Sequence, residues 1–574
     1  MDKQEITIPK RKAGFFNRDI TPYLIFTLPV VFLIIFLFYP IIITFLRAFM
    51  GPGGHIDFVG SWTFENFTRF VTFPLYQRSL INSFVLSFAV VIFSILIGVP
   101  MGYFVARVKL PGKTLLLSLG ILPVIMPSFI GAFSWIILMG RQGVLRHFIN
   151  IALSPLGVEI PSIFGMFGMI FTMSLTFYPF VFLLTYGAFS QANPLLEESA
   201  MLMGAGKVRI FRTITLPLIL PSLGAASLLV FIRAIGSFGI PAIIGGDTYV
   251  LPTLIYFRVN GFWDLNGASA IAVVNVMITG AFLLLHKRVV SKRQYETISA
   301  SRSEQKYLTH WAVRLVAGVF CFLVLFISLL PQFTIIVMSF FERWHGFMPQ
   351  GFTLRNFTRI PQFAGSELGN TVFLTSVATI LTAVLGSIVA YITERRKPKG
   401  AAILDLAVMA PFVLPGTVVS VALLSAFSGN NIVPLTGTFT IIIISYMIRR
   451  TPYVYRAVAA SLTQLDPKLE ESSIVAGASW FYTFRRVSLP LILPGIISGS
   501  ILTFATLLQE LSTTILLYGA RTRTVPIQIY SAVMDGNFGE ASALSVILML
   551  VVFVIVFLMN IFQGNRMANS FKMG

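Results

Sequence analysis

The chain has 574 residues, 56% of them hydrophobic and only 11% charged. A soluble domain carries about 45–50% apolar and about 25% charged residues, so there is too little polar surface here to coat a water-soluble body of this size. The net charge of +20 would point to nucleic acid in a soluble chain. Here the basic residues sit in short segments between apolar runs, as in membrane proteins, and no aromatic-interleaved basic surface for nucleic acid stands out.

In chain order, a basic tail (1–20) precedes an apolar run that carries no charge from Pro22 to Arg47. A membrane helix needs about 20 such residues. The run is too long for a signal-peptide core and no small-residue cleavage site follows it, so a retained first helix is predicted. Apolar spans near 23–48, 83–106, 115–139, 165–189, 218–244 and 268–286, and again near 311–340, 371–393, 402–427, 437–460, 491–517 and 541–562, predict about twelve transmembrane helices. Helix is the expected state because backbone polar groups in lipid must be satisfied within the segment. The fold class is therefore an all-α membrane protein.

Basic residues recur in every second loop: Lys3, Lys10, Arg11, Lys12 and Arg18 in the tail, then Arg107, Lys109 and Lys113, then Lys207, Arg209 and Arg212. Lys287, Arg288, Lys292, Arg293, Arg302 and Lys306 follow the sixth span, and Arg395, Arg396, Lys397 and Lys399 the eighth. By the positive-inside rule both termini are cytoplasmic. The polar segment 289–310 reads as a cytoplasmic linker between a first transmembrane domain (21–288) and a second (311–564), with a short tail at 565–574. The single cysteine, Cys321, allows no internal disulfide and no cysteine-based metal site. The five histidines show no ligand spacing, and no metal site is expected.

The two halves repeat. Residues 193–221, NPLLEESAMLMGAGKVRIFRTITLPLILP, match 466–494, DPKLEESSIVAGASWFYTFRRVSLPLILP, at an offset of 273. Asn82/Asn370, Gly98/Gly386, Tyr103/Tyr391, Pro123/Pro411 and Pro127/Pro415 match at 288. Each half has six spans and starts inside, so the repeats are parallel and should pack about a pseudo-two-fold axis along the membrane normal, with a path between them.

The duplicated cytoplasmic loop carries the strongest signal. Its pattern is Glu198, Ser199, Ala200, Gly204, Ile214, Leu216 and Pro217 in the first half and Glu471, Ser472, Ser473, Gly477, Val487, Leu489 and Pro490 in the second. Asn193-Pro194 and Asp466-Pro467 read as helix starts, with acidic residues where the helix dipole favours them. Gly204 and Gly477 permit a sharp turn or a close backbone approach. A second short helix should follow, closed by Leu-Pro. Short helices are marginal in water, so each would need something to pack on, which a cytoplasmic partner protein could supply.

This loop resembles the EAA motif of permease subunits in binding-protein-dependent ABC importers, and the resemblance covers nearly the whole chain. It implies a type I importer permease fold of two six-helix bundles, coupling helices seated on two copies of a cytoplasmic ABC ATPase, and an extracytoplasmic solute-binding protein. Glu198, Ala200 and Gly204 would meet one ATPase copy, and Glu471, Ser473 and Gly477 the other. Ser199, Ser472 and Ser473 depart from the family's alanines. ATP and magnesium would belong to the partner, with no cofactor on this chain. Residues 510–517 (ELSTTILL) and 536–548 (GNFGEASALSVIL) look most like the ferric iron type, within a wider group that includes polyamine, thiamine and phosphonate permeases. A bacterial inner-membrane location follows from the same resemblance.

The run Gly204-Ala205-Gly206-Lys207 is no phosphate loop: Met201 and Val208 stand where that pattern needs Gly and Ser or Thr. No catalytic motif appears, so a transport subunit is expected rather than an enzyme. Intramembrane charges are functional by default; Arg233, Arg449, Arg450 and Glu510 are the candidates for the translocation path. The repeat does not preserve them: Arg233 aligns with Thr506, Arg449 with Thr176 and Glu510 with Ser237. They read either as a gate or polar wall for a charged solute or as a structural ion pair. Outer loops 50–80, 140–164, 247–267 and 341–369 are the candidate docking surface for a binding protein. A gradient-driven secondary transporter is the alternative class, but intramembrane carboxylates are scarce and it leaves the two matched loops unexplained.

Overall fold

Long apolar runs leave the backbone few ways to satisfy its own polar groups, and the two halves do so with matching series of helices. The computed structural model describes residues 21–51, 62–192, 194–291, 308–345, 348–398, 400–429 and 433–570. The basic tail, Asn193, Lys399, most of the linker and the last four residues lie outside them. In the first half the series is α1 (Thr27–Ala48), α2 (Pro74–Arg107), α3 (Lys113–Val124), α4 (Ser128–Met139), α5 (Met166–Gln191), α6 (Pro194–Leu202), α7 (Val208–Ile235), α8 (Gly239–Ile244), α9 (Leu251–Phe262) and α10 (Leu265–Ser291). The second half repeats it as α11 (Trp311–Ser339), α12 (Gly365–Arg396), α13 (Ala401–Val413), α14 (Gly416–Phe427), α15 (Phe439–Gln464), α16 (Lys468–Val475), α17 (Trp480–Leu507), α18 (Thr514–Leu517), α19 (Val525–Met534) and α20 (Phe538–Ser570). A two-stranded antiparallel hairpin, β1 (Phe341–His345) and β2 (Met348–Phe352), follows α11.

Nine helices among the described residues are long and apolar enough to cross a membrane. The α3–α4 and α13–α14 pairs are bent by 95° and 111°. The twelfth expected span is α15, which carries Arg449, Arg450 and Arg456 in the position α5 takes in the first half. The sequence predicts one span each at 115–139 and 402–427, with the matched prolines Pro123/Pro411 and Pro127/Pro415 able to kink them, but proline also disfavours helix in the residue before it. Met126 and Leu414 accordingly turn extended, with ψ of 136° and 128°, ahead of Pro127 and Pro415. Pro179 and Pro452, by contrast, sit inside unbroken helices.

The spans predicted at 218–244 and 491–517 stop early, at Ile235 and Leu507. The chain then continues through α8 and α18 into α9 and α19. The segment 247–267 is thus not simply an outer loop: Leu251, Leu254 and Ile255 of α9 are fully buried. The start of each of these helices is tied to the long helix beside it. The Leu251 N–H donates to Ser83 Oγ at 2.8 Å and the Val525 N–H to Thr371 Oγ1 at 2.9 Å. The side chains of Asn82 and Asn370 donate to the carbonyls of Tyr249 and Arg523.

Within each half the tightest pair joins the second and fifth helices of the set, α2 with α5 and α12 with α15. Gly98 and Gly386 set that distance. A Cβ on Gly98 would stand 2.7 Å from Val181 Cβ, and one on Gly386 3.0 Å from Val454 Cβ, the small-residue device that lets membrane helices approach closely. The leading helices cross over: α1 packs on α12 and α14 of the other half, and α11 on α2 and α4. Arg47 donates to the Ser425 carbonyl (3.2 Å), Ser134 to the Pro331 carbonyl (2.8 Å), and Tyr178 and Ser328 share a hydrogen bond (3.2 Å).

Candidate functional site

The duplicated loops come first, because their geometry follows from two residues. In each, a short helix ends in a left-handed residue, Gly204 at φ +84° and Gly477 at φ +90°. The Ala205 N–H reaches back to the Ala200 carbonyl and the Gly204 N–H to that of Met201; Ala478 and Gly477 do the same to Ser473 and Ile474. This is a Schellman C-cap. Nothing lies within 4 Å of a Cβ built on either glycine, so within this chain the glycines serve the turn. Asp466 caps the second loop helix, its carboxylate accepting the Lys468 N–H at 3.0 Å. The expected separate second helix runs on into the span instead, through π-turns at Phe211–Thr215 and Phe484–Ser488 just before Leu216-Pro217 and Leu489-Pro490. Leu216, Pro217 and Leu489 are half-buried there and Pro490 is exposed.

Sequence reasoning singled out Glu198 and Glu471 and missed their neighbours. Glu197 accepts the Thr215 hydroxyl at 3.0 Å and pairs with Arg107 at 3.5 Å. Glu470 accepts the Ser488 hydroxyl at 2.8 Å and the Tyr391 hydroxyl at 3.1 Å, and pairs with Arg395 at 3.5 Å. The same arginines donate to the carbonyls that end α5 and α15, Arg107 to Ala192 (3.5 Å) and Arg395 to Leu465 (2.9 Å). A cation suits a helix C-terminus. One carboxylate on each loop helix is therefore fastened to the ends of three membrane helices. Glu198 and Ala200 are half-buried beside this bracket, Glu471 is exposed, and Ser473 shares a hydrogen bond with Thr483 at 2.9 Å.

The apolar side chains of the loop helices face outward. Leu202 is 89% exposed and Met203 87%; Val475, at the position of Leu202, is 87% exposed. Leu196 and Leu469 match in the same way, at 48% and 49%.

The four intramembrane charges gather at one place. A cavity of about 290 Å³ lies between the halves, lined by the two proline breaks, by α5, α7, α15 and α17, and by the unwound residues after α7 and α17. Glu510 is buried at its wall. Its Oε1 accepts from Arg449 at 2.5 Å and from the N–H and hydroxyl of Thr513 at 3.2 and 3.1 Å, while Oε2 accepts from Arg450. Arg449 also donates to Thr513 Oγ1 at 2.8 Å. Arg233 crosses from the first half and donates to the Tyr453 hydroxyl at 3.0 Å, between the rings of Phe180 and Phe412. Tyr453 was not foreseen. The structure thus brings all four predicted residues to one cavity and places the loop residues at the ends of the helices that line it. Among the described residues no group of three or more His, Cys, Asp or Glu is arranged to hold a metal ion.

Two repeated helical bundles, a charged cavity between them and a matched pair of bracketed loops define a membrane transport subunit. Its family is shown directly: the family of the binding-protein-dependent transport system inner membrane component matches residues 94–294 and again 307–565, and the chain belongs to it. Such a subunit is a multi-pass inner-membrane permease that works with a separate ATPase and a binding protein and is not itself an enzyme, which sets aside the gradient-driven alternative. The ferric transport system permease of Actinobacillus pleuropneumoniae is 28% identical over 488 residues, 83% of this chain and 70% of that protein. An Fe(3+)-transport system permease of Haemophilus influenzae is 23% identical over 490 residues, 85% and 90% of the two chains. A Salmonella typhi permease assigned to 2-aminoethylphosphonate transport is 26% identical over 228 residues, 40% of this chain and 86% of that protein.

Proposed function

We propose that this permease forms the translocation path of an ATP-driven importer of ferric iron, and that its two loops each seat one copy of a cytoplasmic ABC ATPase. The observation that carries the docking is the outward apolar face of α6 and α16, with Leu202 and Val475 equally exposed in equivalent positions. Exposed apolar patches of this kind mark interaction sites. Glu198, Ala200 and Gly204 meet one ATPase copy and Glu471, Ser473 and Gly477 the other, while Leu216-Pro217 and Leu489-Pro490 pass the movement into α7 and α17. ATP and magnesium stay on the partner. The bracket at Glu197 and Glu470 supports this reading, because it ties each loop to three membrane helices at once.

In the cycle, closure of the ATPase pair moves the loops, and the halves rock about the cavity. Glu510 with Arg449 and Arg450 forms the polar wall of the gate, and Arg233 faces it from the other half. The binding protein delivers solute at the outer loops 50–80, 140–164, 247–267 and 341–369. Both termini and the linker 289–310 are cytoplasmic, domains 21–288 and 311–564 act as the two rocking units, and lipid covers the outer helix faces. Similarity to ferric permeases along most of both chains favours iron; the phosphonate relative, matching one half, supports the alternative cargo, a phosphonate.

The test is co-purification of the permease with its ATPase. Leu202→Asp and Val475→Asp together should release the ATPase and abolish ATP-driven ⁵⁵Fe uptake, each alone having a partial effect. A double variant that keeps stoichiometric ATPase sinks the docking assignment.

A further inference from the structure

The cavity wall carries three guanidiniums, those of Arg233, Arg449 and Arg450, and one carboxylate, that of Glu510. Glu510 divides its two oxygens between Arg449 and Arg450. The Nε of each arginine is buried and has no hydrogen-bond partner. Arg233 has Tyr453 as its hydrogen-bond partner and the rings of Phe180 and Phe412, at 6.0 and 5.9 Å, as its other neighbours; no carboxylate lies within ion-pairing distance of it among the described residues. Two positive charges are thus in excess at membrane depth, where an unpaired charge is costly and attracts a counter-charge.

We infer that this cavity takes its cargo as an oxyanion, recognised by Arg233, with the incompletely neutralised Arg449 and Arg450 adding positive field from the wall. The planar guanidinium fork matches carboxylate and phosphate oxygens, and the excess charge repels a cargo of net positive charge such as a bare ferric trication or a polyamine. Two sources supply the same chemistry: two or more oxyanions bound to the ferric ion as its ligands, so that their summed negative charge outweighs the metal's, or a free oxyanion such as a phosphonate. The inference rests on the reading of this cavity as the path and refines it, since it excludes the cationic cargoes of related permeases.

The experiment uses the complete complex in vesicles with its ATPase and binding protein. Four probes are offered: ⁵⁵Fe with [³²P]phosphate, ⁵⁵Fe without phosphate, labelled 2-aminoethylphosphonate, and labelled spermidine. The inference predicts that ³²P enters with ⁵⁵Fe, or that phosphonate enters alone. Arg233→Gln should lower that uptake at least tenfold, and Arg233→Lys, which keeps the charge, should restore a large part of it. Entry of phosphonate but not iron refutes the ferric reading and leaves the oxyanion inference standing. Iron entering equally well with no oxyanion, spermidine entering, faster uptake after Arg233→Glu, or vesicles that hydrolyse ATP yet import neither oxyanion-bearing probe would each overturn it.

Discussion

The two halves agree at their cytoplasmic ends and differ at the cavity. At the loops the match extends to single bonds: the same glycine conformation, the same C-cap, the same carboxylate held by an arginine and a hydroxyl. At the cavity Arg449 faces the place of Thr176, Tyr453 that of Phe180, Glu510 that of Ser237 and Arg233 that of Thr506. On the docking proposed above, the loops would perform one task twice, each on its own partner surface, so closely matched geometry would serve both. If the cavity is the path, as proposed, a single cargo would meet both of its walls together, and its charge could be matched by groups from either side.

The largest expected effect breaks the comparison on its asymmetric side. Glu510→Ala leaves two buried guanidiniums facing each other without their shared carboxylate. Removing one partner of a buried ion pair costs about 3–5 kcal/mol, so the variant should assemble poorly or melt far below the wild type by thermal unfolding in detergent. Ser237→Ala, at the equivalent position of the first half, should be nearly silent. Equal melting of the two variants would deny that charge is concentrated in one half. Glu510→Gln keeps the shape and tests the gate: uptake unchanged in a stable complex would make the cluster a structural feature only.

Next come the brackets. Glu470 holds two hydroxyls and an arginine, Glu197 one hydroxyl and an arginine. Hydrogen bonds to a charged group contribute about 1.5–3 kcal/mol, so Glu470→Gln should raise the ATP hydrolysed per solute imported more than Glu197→Gln does. Equal changes would place the difference between the halves elsewhere. A smaller effect is expected at the turns. Alanine in the left-handed region costs about 1–2 kcal/mol, and Gly204→Ala and Gly477→Ala should weaken transport alike because their φ angles differ by so little. Unequal losses would show that one glycine also touches the partner.

Much of this was legible because the chain states its plan twice. The constant offsets exposed the duplication and the paired loops, and charge in an apolar run exposed Arg233, Arg449, Arg450 and Glu510. The bracket escaped because its parts were read under other headings, Arg107 and Arg395 as loop charges for topology and Glu197 and Glu470 as first-turn acids. Yet all four, with Thr215 and Ser488, recur at the repeat offsets, and a search for polar residues matched in both copies would have found them. The matched prolines Pro127 and Pro415 pointed to kinks, but full breaks were hidden in runs whose length and hydropathy suit one span, and α9 and α19, at 12 and 10 residues, are too short to register as spans. The crossing of α1 and α11 onto the opposite halves was not readable, since an apolar helix reveals that it is buried or bathed in lipid but not which neighbour it packs on.

The smallest predicted effect sharpens the comparison most finely, because it concerns one atom at a position where both halves carry the same residue. Tyr391 and Tyr103 match across the repeat, yet Tyr391 donates to Glu470 while Tyr103 makes no such bond to Glu197 and packs edge-on against Phe189. The difference follows from the neighbours. Trp480 and Phe484 hold the Tyr391 ring against the second loop, with centroids at 6.0 and 5.2 Å, where the first half has Lys207 and Phe211. Tyr391→Phe should therefore cost about 1.5 kcal/mol, the low end for a hydrogen bond to a charged group because this pair is only part-buried, read as a lowered melting temperature, and Tyr103→Phe should leave it unchanged. If the two substitutions cost the same, the extra hydroxyl is not what distinguishes the second bracket, and the aromatic packing around Trp480 becomes the difference to remove next.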